Sequence, residues 1–260
     1  MKRFVSDLRR YSRYIVYSAR CTLMQEVAGS FLNWVWLILN PVLFMLIYAF
    51  VQICIFENTS QYLASFLFIG LTIWNFFNAC INSSVRTIKR YSGIMSKIYV
   101  PKFVFVLSNL MVNGFKMLIS FGLVIITIIA YGIPFSPTML WSIPYLILLF
   151  LLTFGLSCIL LHSGVFVDDL ANIVPIALRM LFFLSGIFYD LEGKLSGTLA
   201  FVMQRLNPTA HIILQMRNTM LYGKEPSITW FFAWLIAALI LCAIGIHLIY
   251  KYERRYVKTV

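Results

Sequence analysis

Six apolar runs, each near the ~20 residues needed to cross a bilayer, constrain this chain more than any other feature. They lie at roughly 33–55, 62–85, 103–130, 142–163, 171–190 and 229–250. The 260-residue chain is 61% hydrophobic and only 12% charged, where a soluble domain carries about a quarter charged residues. A water-soluble core has no room for that much apolar surface. The predicted fold class is therefore all-α: a polytopic membrane protein with six transmembrane helices in one transmembrane domain, residues 1–260.

Charge sets the orientation. The net charge of +12 would point to nucleic acid in a soluble protein, but here its placement follows the membrane. An even number of spans puts both ends on one side. That side holds Lys2, Arg3, Arg9, Arg10, Arg13 and Arg20, then Arg86, Lys89, Arg90, Lys97 and Lys102, then Lys251, Arg254, Arg255 and Lys258. The other holds Lys194, Arg205, Arg217 and Lys224. Positive residues mark the cytoplasmic side, so both termini of this multi-pass protein are expected there. The first apolar run comes late and is long enough to span, so no cleavable leader is expected.

Three connecting segments carry more pattern than loops need. Residues 2–28 place Phe4, Leu8, Tyr11 and Ile15 on one helical face and Lys2, Arg9, Arg13 and Arg20 on the other. That predicts an amphipathic interface helix with its basic face toward anionic headgroups. Residues 86–102 form a short cytoplasmic loop with five cations and no acid. Ile94, Met95, Ile98, Tyr99 and Val100 make it too apolar for a solvated linker. It reads either as a short helix docking on a cytoplasmic partner or as a basic loop dipping into headgroups. Residues 191–228 form an external segment still rich in Leu, Ile, Val and Met. Its stretches 196–206 and 209–222 read as two short helices broken at Asn207-Pro208. The expected form is an external re-entrant or interface-lying hairpin over the outer mouth, with Asn207, Pro208 and Arg217 as candidate gate residues.

Polar groups inside the spans are the candidates for a substrate path. Lys116 is about fourteen residues into the third span and Arg179 about eight into the fifth. Intramembrane charge is costly, so a functional role is the default reading. No acid lies within a span to pair with them, the nearest being Asp168 and Asp169 at the cytoplasmic end of the fourth-to-fifth connection. An anionic group in transit, such as a phosphate, would suit both. Snorkelling of Arg179 and a carbonyl or Asn partner for Lys116 are the alternatives. Asn75, Asn78 and Asn82 recur on one face of the second span beside Trp74, Phe76 and Phe77. Asn109 and Asn113 precede Lys116 in the third, and Phe182 and Phe183 lie in the fifth. A polar and aromatic lining suits a sugar chain, whose ring faces stack on aromatics while its hydroxyls bond amides. Ordinary interfacial belting is the other reading.

Other chemistry is missing. Gly193-Lys194 is followed by Leu195 rather than Ser or Thr, and Gly223-Lys224 fails in the same way, so no phosphate-cradling nucleotide loop is present. His162, His211 and His247 are scattered, with no metal or paired-carboxylate context. The five cysteines (Cys21, Cys54, Cys80, Cys158, Cys242) lack metal spacing and read as small hydrophobes. No catalytic residue, metal site or bound cofactor is expected.

The motifs, taken in order, resemble one family. Residues 34–41, WVWLILNP, are similar to the LW..LNP opening of the first span in ABC-2 type exporter membrane subunits, above all the polysaccharide-export permeases. Residues 96–102, SKIYVPK, resemble that family's KKVYFPR loop, and 181–186, LFFLSG, its LFFLSP. The 206–208 LNP with Arg217-Asn218 and the 221–223 LYG resemble its LNP…(Y/F)R..LYG segment, and 252–256, YERRY, its terminal LERRF. At 24–27, MQEV replaces a basic stretch common in the family, and Gly186 stands where many members have proline.

The resemblance implies a homodimer with the export path at its centre and two copies of a separate cytoplasmic ATPase, which would hold ATP and Mg. It implies that Gly93, Ile94, Met95, Lys97, Ile98 and Tyr99 form the helix that couples to that ATPase. It also implies a polyprenyl-linked polysaccharide as cargo, such as O-antigen, teichoic acid or capsule. A drug or small-lipid permease of the same class, a stand-alone channel or carrier, and a membrane-embedded enzyme are the competing readings. The halves show no internal repeat, against a carrier, and no catalytic cluster supports an enzyme.

Overall fold

A computed structural model describes residues 2–28, 32–55, 57, 61–91, 93, 99–189 and 201–253, and among these the chain is helical with no strand. Among the described residues five helices are long and apolar enough to cross a membrane, making this a multi-pass membrane protein. Helix α1 covers Lys2–Val27, and α2 covers Trp36–Cys54 behind a 3₁₀ turn at Asn33–Val35. Then come α3 (Leu63–Val85), the single turn α4 (Thr87–Arg90) and α5 (Phe103–Ala130). A 3₁₀ turn at Pro137–Trp141 leads into α6 (Ser142–Phe166), followed by α7 (Leu170–Leu184). A π turn at Val202–Leu206 precedes α8 (Pro208–Met220), and α9 (Ile228–Lys251) ends the bundle.

The apolar runs and the helices agree to within a few residues, with one exception. The run at 171–190 becomes α7, only fifteen residues long. At 1.5 Å per residue it rises about 22 Å, short of a ~30 Å hydrocarbon core. The stop is local. Ser185 turns its hydroxyl back onto the Leu181 carbonyl at 2.6 Å, and Gly186 follows with φ of 65°. A left-handed residue just past the last turn terminates a helix, and glycine takes that conformation without steric cost.

Helix α3 is the centre of the fold. Seventeen of its residues are buried, from Leu63 to Val85, against α2, α5, α6, α7 and α8. Helices α6 and α9 form the closest pair. A Cβ on Gly155 would lie 2.7 Å from the Cys242 backbone nitrogen, and one on Gly245 would lie 2.7 Å from the Cys158 Cβ. Small residues let the two backbones approach, the usual basis of helix association in lipid. By contrast α2 buries only Gln52 and leaves Leu43, Phe44, Leu46, Ile47 and Phe50 exposed.

Helix α1 climbs along α5. Phe4 meets Phe103 at 4.9 Å, Tyr14 meets Phe105 at 6.4 Å, and Glu26 reaches Lys116 at 2.5 Å. Ile15 and Ala19 are buried, with Phe4, Leu8 and Tyr11 packed on the core. Arg9, Arg10, Arg13 and Arg20 stay exposed. The apolar face read from the 3.6-residue spacing is the face that packs.

Candidate functional site

The basic loop between α3 and α5 is anchored at both ends. At its start Thr87 and Ile88 are buried. Arg86 donates to the Ala171 carbonyl at 3.4 Å, and Lys89 pairs with Asp168 at 2.5 Å. Both ends of that pair are exposed, so it contributes at most about 1 kcal/mol. Its value is positional: it ties the loop to the connection that begins α7. At the loop's end Val100, Pro101, Lys102 and Phe103 are buried. Of the residues predicted to couple, Gly93 is exposed and helical and Tyr99 is half exposed. Ile94, Met95, Lys97 and Ile98 lie outside the described residues.

Tyr99 gathers both chain ends. Its hydroxyl donates to Glu253 Oε1 at 2.5 Å and accepts from Arg3 Nη2 at 2.9 Å. Arg3 Nη2 also donates to Glu253 Oε2 at 3.1 Å. Tyr11 donates its hydroxyl to the Tyr99 carbonyl at 3.3 Å. Burial, together with the bond to Glu253 and its charge, pushes the Tyr99 phenol up to about 12. The proton that Tyr99 donates is therefore held firmly throughout the physiological range.

The predicted path residues fall into three groups. Trp74, Phe77 and Phe182 come together: Trp74 lies 6.0 Å from Phe77 and 5.5 Å from Phe182. Phe183 packs edge-on to Phe182 at 5.4 Å. Tyr48 and Phe188 complete this aromatic wall, Tyr48 at 4.5 Å from Phe188 and Phe182 at 5.0 Å. Sequence spacing missed both, because they sit on other elements and belong to no stripe.

The amides divide. Asn75 and Asn82 are exposed, Asn78 is half-buried, and Asn113 is buried. Asn113 donates to the carbonyl and side chain of Asn109, and Asn109 in turn donates to the Ser83 hydroxyl. This chain of amides joins α5 to α3 in the interior.

The two cations differ. Arg179 stands on the exposed face of α7 with Ile176, Met180 and Phe183. Lys116 forms an ion pair with Glu26 at 2.5 Å. The expectation that Asp168 and Asp169 are the nearest acids is therefore corrected for Lys116: its partner is on α1, outside the spans. Its depth, counted from the first residue of the span, needs correcting as well. Trp34 sits edge-on to Phe115 at 6.5 Å, so Lys116 is level with the start of α2 rather than midway along it. Helix α5 has 28 residues, about 42 Å, and its first turns extend past α2 to pack with α1.

At the opposite end α8 fills the space beyond the short α7. Every residue from Thr209 to Met220 is buried. Asn207 starts this helix: its Oδ1 accepts from the backbone N–H groups of Thr209 at 3.1 Å and Ala210 at 3.3 Å. Pro208 occupies the first helical turn, where no backbone donor is missed. Asn207 Nδ2 also donates to Ser185 at 3.1 Å, tying α8 to the end of α7. Arg217 is 3% exposed and donates to the carbonyls of Phe66 at 3.2 Å, Gly186 at 2.7 Å and Ile187 at 2.8 Å. Its guanidinium lies 3.4 Å over the Phe66 ring.

Residues 15–221 match the ABC-2 type transporter family, and the chain belongs to that family. Relatives narrow the comparison. The chain is 26% identical over 236 residues to an O-antigen export system permease protein RfbA of Klebsiella pneumoniae, across 88% of this chain and 87% of the relative. Another Klebsiella pneumoniae protein of that name is 28% identical over 199 residues, 75% of each chain. A Myxococcus xanthus protein of that name is 27% identical over 214 residues, 82% of each.

Proposed function

We propose that this chain is the permease subunit of an ATP-driven exporter that carries a polyprenyl-linked polysaccharide, such as O-antigen, outward across the bacterial plasma membrane. The observation that carries the reading is the family match together with relatives named as O-antigen export permeases, which align over most of both chains.

In this reading the exporter contains two copies of the chain and two copies of a cytoplasmic ATPase, which holds ATP and Mg. The bare apolar face of α2 and the exposed face of α7 support a second copy packing there. Helix α7, with the residues that follow it, makes the sixth crossing, and both termini lie in the cytoplasm. Helix α1 rests at the cytoplasmic interface, its exposed arginines toward anionic headgroups. Residues 93–99 seat in the ATPase, and the anchoring of residues 86–102 at both ends supports motion there reaching α7 and α1.

The path runs along Trp74, Phe77, Phe182, Phe183, Asn75, Asn78 and Asn82, with Asn113 bracing it from within. Lys116 and Arg179 receive the cargo's phosphates. The α8 hairpin closes the outer mouth, held by Asn207, Pro208 and Arg217. Pull-down of the tagged chain from its own membrane in mild detergent tests the reading. A stoichiometric soluble ATPase is expected, lost when residues 93–99 are replaced. A chain that comes down alone and still moves cargo without ATP would refute it.

A further inference from the structure

The contacts of Tyr99 go beyond what docking requires. The loop's exit is already fixed by Val100, 3% exposed, and Phe103, fully buried. Tyr99 itself is 55% exposed, so its ring is not a core residue. Lys102 Nζ lies 5.6 Å over that ring, and the hydroxyl uses both of its roles: donor to Glu253 and acceptor from Arg3. Arg3 closes the ring onto Glu253, and these three side chains come from segments 96, 154 and 250 positions apart.

A second layer holds the ring in place. Arg3 lies 4.7 Å over the Tyr250 ring, and Tyr250 donates its hydroxyl to Asp7 at 2.7 Å. Asp7 also lies 3.8 Å from Arg3 Nε. The first turns of α1 and the last turn of α9 are thus bound to each other and, through one phenol, to the loop. Charge-assisted bonds of this kind are short and directional, so they transmit position.

We infer that Arg3, Tyr99 and Glu253 form a positioning latch that ties the coupling loop to both ends of the chain, so that loop displacement moves α1 and α9 together. The inference rests on the reading of residues 86–102 as the coupling loop. From Arg3 the contact route continues up α1 to Glu26, which pairs with Lys116 where α2 begins. Helix α2 has the least buried span, so the latch connects the loop to the most lightly held crossing through packed, hydrogen-bonded neighbours.

The test uses the full chain with its ATPase in membranes, reading surface polysaccharide labelled with radioactive hexose, ATP hydrolysis and ATPase retained on pull-down. Hydrolysis is read on the ATPase retained with the chain, so that the export-to-hydrolysis ratio controls for how much protein folds. Glu253→Gln leaves residues 93–99 untouched and removes the carboxylate charge that Tyr99 and Arg3 both bind. It is expected to retain the ATPase and its hydrolysis while the ratio falls about tenfold, the order expected for a hydrogen bond to a charged group. Adding Tyr99→Phe changes the ratio by less than about twofold more, because both variants break one ring. Arg3→Glu and Glu253→Arg each lower the ratio, and together they recover part of it, since the phenol serves either arrangement while Asp7 and the Tyr250 ring still favour a cation at position 3. A Glu253→Gln chain that holds the ATPase at an unchanged ratio overturns the latch alone, as does a charge swap no better than its worse single variant. An unmodified chain that retains no ATPase overturns the coupling-loop reading, and the latch with it.

Discussion

Replacing Arg217 with Met tests whether buried α8 is held by one guanidinium. Three carbonyls receive its donors. Phe66 lies inside α3, so its carbonyl also serves the helix ladder. Gly186 and Ile187 lie beyond the last turn of α7, and their carbonyls depend on the side chain. Methionine fills similar space and leaves both without that donor. An unsatisfied buried polar group costs about 1–3 kcal/mol, so two cost about 4 kcal/mol together. For a chain of this size 1 kcal/mol moves the midpoint by about 2–4 °C, giving an expected drop of about 8–16 °C. Arg217→Lys keeps the charge but not the planar fork, and loses less. Fluorescence-detected gel filtration of detergent-solubilised protein after a heating series measures the midpoint. A methionine variant within about 2 °C of the unmodified chain would refute the clamp.

Other substitutions follow from the same geometry. Asn207→Ala removes the cap of α8 and its bond to Ser185, and should cost about 1–2 kcal/mol in the same assay, whereas Asn207→Asp keeps the cap and loses less. Gly155→Ala places a methyl group against the backbone of α9, and should cost about 1–3 kcal/mol by forcing α6 and α9 apart; an unchanged midpoint would show that the pair is not tightly packed. Lys116→Met should lower export at constant protein level, while Glu26→Gln, which leaves the cation in place, should not. Equal loss in both variants would assign the effect to the ion pair rather than to cargo.

What the sequence reveals here is what depends on neighbours along the chain. The apolar run at 103–130 and helix Phe103–Ala130 coincide because composition alone decides that span. Asn207-Pro208 is legible as a helix start because cap chemistry is complete within three residues. The early end of α7 is missed because the apolar run continues to 190; only the Ser185-Gly186 pair marks the stop. Glu26 escapes notice because α1 brings it alongside α5 from ninety positions away. Arg217 reads as one more external cation, and its burial follows from the carbonyls that α7 leaves open. Tyr99 reads as an apolar loop residue, yet its partners come from the two ends of the chain.

The most direct measurement is transport into inverted plasma-membrane vesicles carrying this chain and its ATPase, with a radiolabelled polyprenyl-pyrophosphate-linked glycan as cargo. The account predicts that glycan becomes protected inside the vesicles only with hydrolysable ATP, and that replacing residues 93–99 abolishes this. Protection that persists after ATP is depleted, or that does not require this chain, would contradict the account.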